Sequence, residues 1–368
     1  MVQPRVAVYM PAYEAKKEHI RPAVESVLVQ SYTDWALLIN DDASVRENVE
    51  SHVQDYLSDP RITFCRNSKN LGIGANWNVC WQQDTMEQAR EGGLCPPGAQ
   101  PLREGWVRAH STTAQGTLSL PKGGRDTVGG PSTQEFVAFL FHDDLWEPIY
   151  LEHMLAALDA NPSAGFAAAN HSYIKEGDVS RAPFYDELRE FVRQNVRPGL
   201  HEHPKFLHWW LQRGLKPNVI GEPSFVMLRR SLMEQVGPFN ASMMQFLDSE
   251  YWARCLLHAD FVYVDESLGK FRVHPGGMSA TNEGQGRGIF ERFQTLQTVV
   301  AGLPSEERKF GNTAIVHALS GMIGQYISRR KQGKNISRHG SNGLRKFVLR
   351  HPILTLLALF KWMMGKKT

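Results

Sequence analysis

Phe136-Val137-Ala138-Phe139-Leu140-Phe141-His142-Asp143-Asp144 carries six apolar residues directly into two adjacent carboxylates. An apolar run with no polar alternation is the signature of a strand covered on both faces, as in a parallel sheet. Ligands of such sheets sit beyond the carboxyl ends of the strands, so this run delivers paired acids to the place where a ligand binds. Two neighbouring carboxylates repel, and a divalent cation or cationic ligand relieves the repulsion. The competing reading is a solvated helix start, with an aspartate as N-cap of a helix beginning near Trp146-Glu147-Pro148.

Upstream the chain alternates strand and helix. Arg5 to Met10 reads as a first strand, followed by the turn Pro11-Ala12-Tyr13-Glu14. A helix from about His19 to Gln30 places Ile20, Val24, Val27 and Leu28 on one stripe. Trp35 to Asn40 reads as a second strand ending in Asp41-Asp42-Ala43-Ser44, then a helix over 47–57, and Arg61 to Cys65 as a third strand. Asn70-Leu71-Gly72-Ile73-Gly74 opens a helix through Asn76 and Trp77. This βαβαβ order implies parallel strands with right-handed crossovers.

Residues 84–134 interrupt the pattern with Gly92-Gly93, Pro96-Pro97, Gly123-Gly124 and Gly129-Gly130, and read as a long insertion. Beyond the run at 136–141, a helix over 149–160, strands near 165–170, 224–228 and 261–264, helical character over 180–220 and a helix over 249–258 are predicted. From about residue 285 the chain reads as helices.

Composition excludes several classes. At 42% hydrophobic and 21% charged residues the chain is neither disordered nor fibrous. A formal charge of +3 gives no footprint for nucleic acid. Cys65, Cys80, Cys95 and Cys255 lie far apart without a C-x-x-C pair, so neither a zinc site nor a disulfide framework is indicated, and a reducing cytoplasm fits. The first strand opens without a charged n-region or apolar h-region, so no secretory signal is expected. Near the other end, Ile353 to Phe360 is strongly apolar and flanked by Arg345, Lys346, Arg350, Lys361, Lys366 and Lys367. Residues 352–364 are too few to cross a bilayer, which takes about 20. Two readings stay open for residues 345–368: a helix lying on a membrane surface, or one docked on the protein's own core.

Three strand ends carry turn residues or acids: Pro11-Ala12-Tyr13, Asp41-Asp42 and His142-Asp143-Asp144. In a parallel sheet they share one edge, and carboxylates gathered there favour a metal-bound, phosphate-bearing ligand. Taken singly, Asp41-Asp42-Ala43-Ser44 reads as an Asx-turn and helix cap.

These residues carry a resemblance. V-A-V-Y-M-P-A-Y (6–13), S-V-L-V-Q-S-Y (26–32), I-N-D-D-A-S (39–44), N-L-G-I-G-A-N (70–76), F-H-D-D-L-W-E-P (141–148), V-G-P-F-N (236–240), F-L-D-S-E-Y-W-A-R (246–254) and F-R-V-H-P (271–275) together look like family 2 glycosyltransferases. Each motif is loose alone and specific in this order; the likeness covers about residues 5–280 without the insertion. It implies an α/β GT-A fold, a Rossmann-like, mostly parallel sheet flanked by helices, here with a C-terminal helical extension. Residues 1–145 would form the nucleotide-sugar-binding half, 146–284 the acceptor-binding and catalytic half, and 285–368 the extension.

By resemblance, Pro11, Ala12, Tyr13 and Glu14 line the nucleoside pocket, and Asp42, with Asp41, meets the base. Asn70 and Gly72 flank it, and Asp143 lies near ribose and metal. Asp144 is the implied direct ligand of Mg²⁺ or Mn²⁺ on the donor diphosphate, and His274 reaches the metal side from a loop. Asp248 falls where the family places its catalytic base. An acceptor hydroxyl must lose its proton as it attacks the anomeric carbon, and a positioned carboxylate can take it. Family members often show Glu-Asp there, whereas this chain has Leu247-Asp248, with Glu250 as a fallback base or helix cap. The implied partners are a nucleotide-diphosphate sugar and a glycan or lipid-linked acceptor, in cell-surface polysaccharide synthesis on the inner face of the plasma membrane. The dense set His201, His203, His208, Trp209 and Trp210 reads either as a sugar-stacking patch or as packing beneath a helix.

Two other functions compete: a catalytically silent GT-A module that binds sugar nucleotide or scaffolds a complex, and a nucleotidyltransferase. The latter needs a glycine-rich basic loop after the first strand, where Pro11-Ala12-Tyr13-Glu14 stands instead. Gly72-Ile73-Gly74 lacks the third glycine of a dinucleotide fingerprint.

Overall fold

The computed structural model describes residues 4–82, 134–177, 182–274, 288–333 and 348–365. The insertion (but for residue 134), Cys95, Pro275-Gly276-Gly277, Arg345, Lys346, Lys366 and Lys367 lie outside the described residues.

One nine-stranded sheet organises the chain. Its strands are β1 (Val6–Ala12), β2 (Trp35–Asp41), β3 (Ile62–Arg66), β4 (Phe136–Phe139), β5 (Leu145–Trp146), β6 (Ala164–Lys175), β7 (Gly199–His201), β8 (Val226–Arg229) and β9 (Asp260–Val273). The order is β3-β2-β1-β4-β8-β6-β9-β5, with β7 also on β9. Strands β3, β2, β1 and β4 run parallel, as the βαβ pattern predicts. Beyond that block the directions alternate: β8 is antiparallel to both β4 and β6, β6 and β9 run parallel, and β5 and β7 are antiparallel to β9. The sheet is therefore mixed. The reversal brings the entry of β8, Glu222-Pro223-Ser224, to the same edge as the exit of β4.

The apolar runs are explained by two faces buried at once. In β1, Val6, Val8 and Met10 join one core while Ala7 and Tyr9 join the other. In β4, Phe136 and Ala138 face the first core, Val137 and Phe139 the second. One core is closed by α1 (Lys17–Leu28), through Ile20, Ala23, Val24 and Val27, and by α4 (Tyr150–Ala160), through Leu151, Met154, Leu155 and Leu158. Between them in sequence lie α2 (Val49–Val53) and α3 (Ile73–Gln82). The second core receives α3, α5 (Ala182–Asn195), α6 (His203–Gln212), α7 (Arg230–Val236) and α8 (Leu247–Cys255).

The extension comprises α9 (Gly288–Gly302), α10 (Arg308–Lys331) and α11 (Pro352–Met364). Leu296 and Val299 of α9 and Ile315, Leu319 and Met322 of α10 enter the second core, so the extension is packed on the sheet domain. Helix α11 rests on α10: Ala358 is buried, Leu354, Leu359 and Trp362 pack beside it, and the Trp362 indole approaches Gly324. Any Cβ at Gly324 would stand 2.8 Å from Trp362 Nε1, which leaves glycine as the residue that admits the indole. No helix among the described residues is long and apolar enough to cross a membrane.

Candidate active site

The exits of β1, β2 and β4 lie side by side, with Ala12 paired to Asp41 and Tyr9 to Phe139. At the exit of β2, Asp41 and Asp42 are both buried. Asp41 closes an Asx-turn: it accepts from the Ser44 N–H at 3.2 Å and from the Ser44 hydroxyl, and pairs with Arg66. Asp42 accepts from Asn67 Nδ2 at 2.8 Å, the Leu71 N–H at 2.9 Å and the Gly72 N–H at 2.9 Å. Gly72 donates from a left-handed conformation (φ 86°), which explains a glycine here. Asn70 donates to the Asp42 carbonyl. Asp42 thus shapes the loop at 70–72, which the family resemblance implies flanks the nucleotide.

Glu14, which the resemblance sets in the nucleoside pocket, ties the turn after β1 to the next loop. Its carboxylate accepts from the N–H groups of Val45, Arg46 and Glu47 at 3.0 to 3.1 Å, and its own N–H donates to Ser44 Oγ at 2.7 Å. Desolvation opposes ionisation, yet the three backbone donors outweigh it and hold Glu14 below the usual carboxylate range. Beside it Tyr13 projects, 45% exposed, while Pro11 and Ala12 belong to β1.

After β4 the chain makes a tight turn, closed by the Asp144 N–H donating to the Phe141 carbonyl at 3.1 Å. His142 and Asp143 occupy the tip and Asp144 is tucked under it. The two aspartates consequently part company. Asp144 is fully buried, accepting from the Ser224 hydroxyl at 2.6 Å and the Arg272 N–H at 2.9 Å. Burial and the adjacent Asp143 charge push its carboxyl well above the usual range. Asp143 keeps 22% exposure and lies 3.2 Å from Nε2 of His274, itself 22% exposed. Desolvation works against its charge, but the imidazoles of His142 and His274 hold it low. Each oxygen of Asp144, the ligand that the resemblance implies, thus accepts one hydrogen bond from the fold. The sequence could not separate two adjacent acids, since the turn that divides them has no glycine or proline to announce it.

Asp143 and His274 are of the types that hold a hard divalent cation. Among the described residues no three His, Cys, Asp or Glu side chains converge. Such a two-residue donor set fits Mg²⁺ or Mn²⁺, which complete their shells with substrate phosphates and water. Next to the pair, Arg272 donates from Nε to the Asp143 carbonyl at 2.8 Å and pairs with Glu176, which also meets His19 at 3.2 Å. Arg272 stands in the F-R-V-H-P motif, and only its place on β9 shows it beside the acids.

Asp248 lies in the first turn of α8, half-buried. It accepts from Asn218 Nδ2 at 2.8 Å and from the Ser249 N–H at 2.6 Å. Burial pushes its carboxyl up to about 7, with the nearby Glu222 charge adding to the rise and the Ser249 N–H opposing it. Glu222 lies 3.1 Å from His171, whose ring stacks on Phe225. The charge of Glu222 also raises Asp144. A cavity lined by His171, Tyr173, Asn218, Gly221 and Glu222 opens there. No spacing pattern singled out Asn218, Glu222 or His171 in the sequence. Glu250, the fallback base, is buried in a bidentate pair with Arg254. The His/Trp set is packing: Trp210 is buried, His201 stacks on Phe261, and His208 meets Glu307 at 2.7 Å.

The mixed, helix-flanked sheet with acids at its exit edge has the GT-A fold. Comparison with known proteins agrees. The sequence model of Glycosyl transferase family 2 matches residues 7–83. An uncharacterized protein of Mycobacterium tuberculosis is 23% identical over 279 residues, 76% of this chain and 70% of that one. Chondroitin synthase of Escherichia coli is 39% identical over 76 residues, 21% of this chain and only 11% of its own length. Among solved structures, S. aureus TarS 1-349 in complex with UDP-GlcNAc has a TM-score of 0.55 at 13% identity, covering 97% of this chain and 80% of that one. Mannosyltransferase PcManGT from Pyrobaculum calidifontis, in complex with GDP-Man and Mn²⁺, has a TM-score of 0.50 at 15% identity, covering 99% and 88%. The structures share the fold, and the match to the family 2 sequence model is confined to residues 7–83.

Proposed function

We propose that this glycosyltransferase moves a sugar from a nucleotide-diphosphate donor to a hydroxyl of a glycan or lipid-linked acceptor, with inversion at the anomeric carbon and a requirement for Mg²⁺ or Mn²⁺. The observation that carries the reading is Asp248: a half-buried carboxylate, held by Asn218 and the Ser249 N–H, whose affinity for a proton is raised to about 7. A base poised near working pH removes a proton most effectively. Asp248 takes the hydroxyl proton as the acceptor oxygen bonds to the anomeric carbon from the face opposite the departing diphosphate. Asp143 and His274 hold the cation, which when bound acts as a Lewis acid toward the diphosphate. Arg272 adds a fixed positive charge beside them. Asp41 and Asp42 shape the nucleoside pocket with Asn70 and Gly72, and Pro11, Ala12 and Tyr13 form its wall.

The UDP-GlcNAc and GDP-Man carried by the two structural neighbours support a sugar nucleotide as donor, and the Mn²⁺ in one of them supports the cation. The likeness to a chondroitin synthase supports polysaccharide assembly, which we place in the cytoplasm. The deciding experiment is a screen of nucleotide sugars for Mn²⁺-dependent hydrolysis and transfer, with Asp248→Asn alongside. Turnover in the parent chain and none in the variant is the expected result. Sugar-nucleotide binding without turnover in the parent would instead assign a binding or scaffold role.

A further inference from the structure

Charge is divided unevenly along this chain. From Arg308 to Thr368 stand thirteen lysines and arginines and no aspartate or glutamate; residues 1–307 hold 28 basic and 38 acidic side chains. A nearly neutral total therefore conceals an acidic body and a strongly basic extension.

The same extension carries most of the exposed apolar surface. Of thirteen large apolar side chains exposed among the described residues, eight lie between Val348 and Met364: Val348, Leu349, Ile353, Leu356, Leu357, Phe360, Met363 and Met364. Scattered apolar residues need no explanation, whereas a contiguous patch marks an interaction site. Helix α11 has its inner face on α10 through Leu354, Ala358, Leu359 and Trp362. Its outer face repeats at 353, 356, 357, 360, 363 and 364, the spacing of one helical stripe. Packing on the protein explains the inner stripe alone.

We propose that the outer face of α11 seats the protein in the plane of an anionic lipid bilayer. Helix α11 has 13 residues and so spans about 20 Å, short of the roughly 30 Å hydrocarbon core, which rules for lying in the interface over crossing it. The rim is cationic: Arg350 precedes the helix, Lys361 lies on it, and Arg329, Arg330 and Lys331 end the helix beneath. Apolar side chains enter the acyl boundary while the basic groups meet anionic headgroups. A second copy of this face is a poor occupant, since each copy brings the same positive charge to the contact.

The test uses the full chain and sedimentation with vesicles of phosphatidylcholine, with and without phosphatidylglycerol. Binding is expected to require phosphatidylglycerol and to weaken with salt. Lys361→Gln and Arg330→Gln should each lower affinity about fivefold. Leu356→Glu with Phe360→Glu should remove binding while the melting temperature and donor binding in solution stay unchanged. Leu356→Ala with Phe360→Ala provides a milder pair, expected to weaken binding, should the glutamates impair folding. No sedimentation with anionic vesicles overturns the proposal. So does equal binding to neutral vesicles, or a dimer in analytical ultracentrifugation that the glutamate pair dissolves. None of these outcomes depends on which sugar is transferred, so failure here leaves the transferase reading standing.

Discussion

The two Asp-Asp pairs of this chain sit at neighbouring strand exits and are handled in opposite ways. Asp41 and Asp42 stay together, and their oxygens are taken up by the protein's own donors: Ser44 and Arg66 for one, Asn67, Leu71 and Gly72 for the other. Asp143 and Asp144 are split by a turn, one buried on Ser224 and the Arg272 N–H, the other left facing His274. An acidic pair is thus no single kind of feature. Where local donors suffice, both members are absorbed into the fold; where they serve only one member, the other keeps part of its surface exposed.

The comparison can be broken at four points, in falling order of effect. Asp248 is the acid outside both pairs, and Asp248→Asn should lower transfer by about 10²- to 10⁴-fold while sparing donor affinity. In the parent the rate should rise with pH through about 7, where burial places this group. The stability linkage has the opposite sense: a carboxyl whose folded pKa is raised favours the fold below its unfolded value, and that contribution fades as pH rises toward 7. Kinetic profiles and melting curves from pH 4 to 8 (roughly the span between the two values) check both; a flat rate profile would move the base elsewhere.

Second, Asp42→Ala should destabilise the fold by about 3 kcal/mol, because three donors lose their acceptor. Urea unfolding measures it, and a loss of donor affinity with unchanged stability would make Asp42 a ligand contact and not a wall. Third, Asp143→Asn should weaken Mn²⁺-dependent donor binding by about 100-fold, read by calorimetry with and without the cation. Fourth, Asp144→Asn should cost only about 1 kcal/mol of stability, since the amide oxygen still accepts one bond, and should leave the Mn²⁺ dependence intact. A reversal of the third and fourth results would return the cation to Asp144.

Much of this was legible in the residues. The parallel β3-β2-β1-β4 block follows from apolar runs and their spacing, and the edge holding Asp42, Asp143 and Asp144 follows from where those runs end. Three things were not. Which member of Asp143-Asp144 faces outward depends on a turn of ordinary residues. The reversal of β8 depends on pairing between segments far apart in sequence. Glu14 finds its donors thirty residues on, at Val45 to Glu47, where no local pattern could reveal them. Arg272 and Glu222 were hidden for the same reason, since their partners come from other strands.

Under the function proposed above, that bridge from Glu14 to Val45, Arg46 and Glu47 bears on how a donor is chosen. It staples two neighbouring loops at their tips, so the rim beside Tyr13 behaves as one stiff piece. A socket formed in advance loses little motional freedom when a nucleotide arrives, and it cannot reshape itself around a different base. Selectivity at this rim should then evolve by exchanging the outward ring of Tyr13, with the staple left in place.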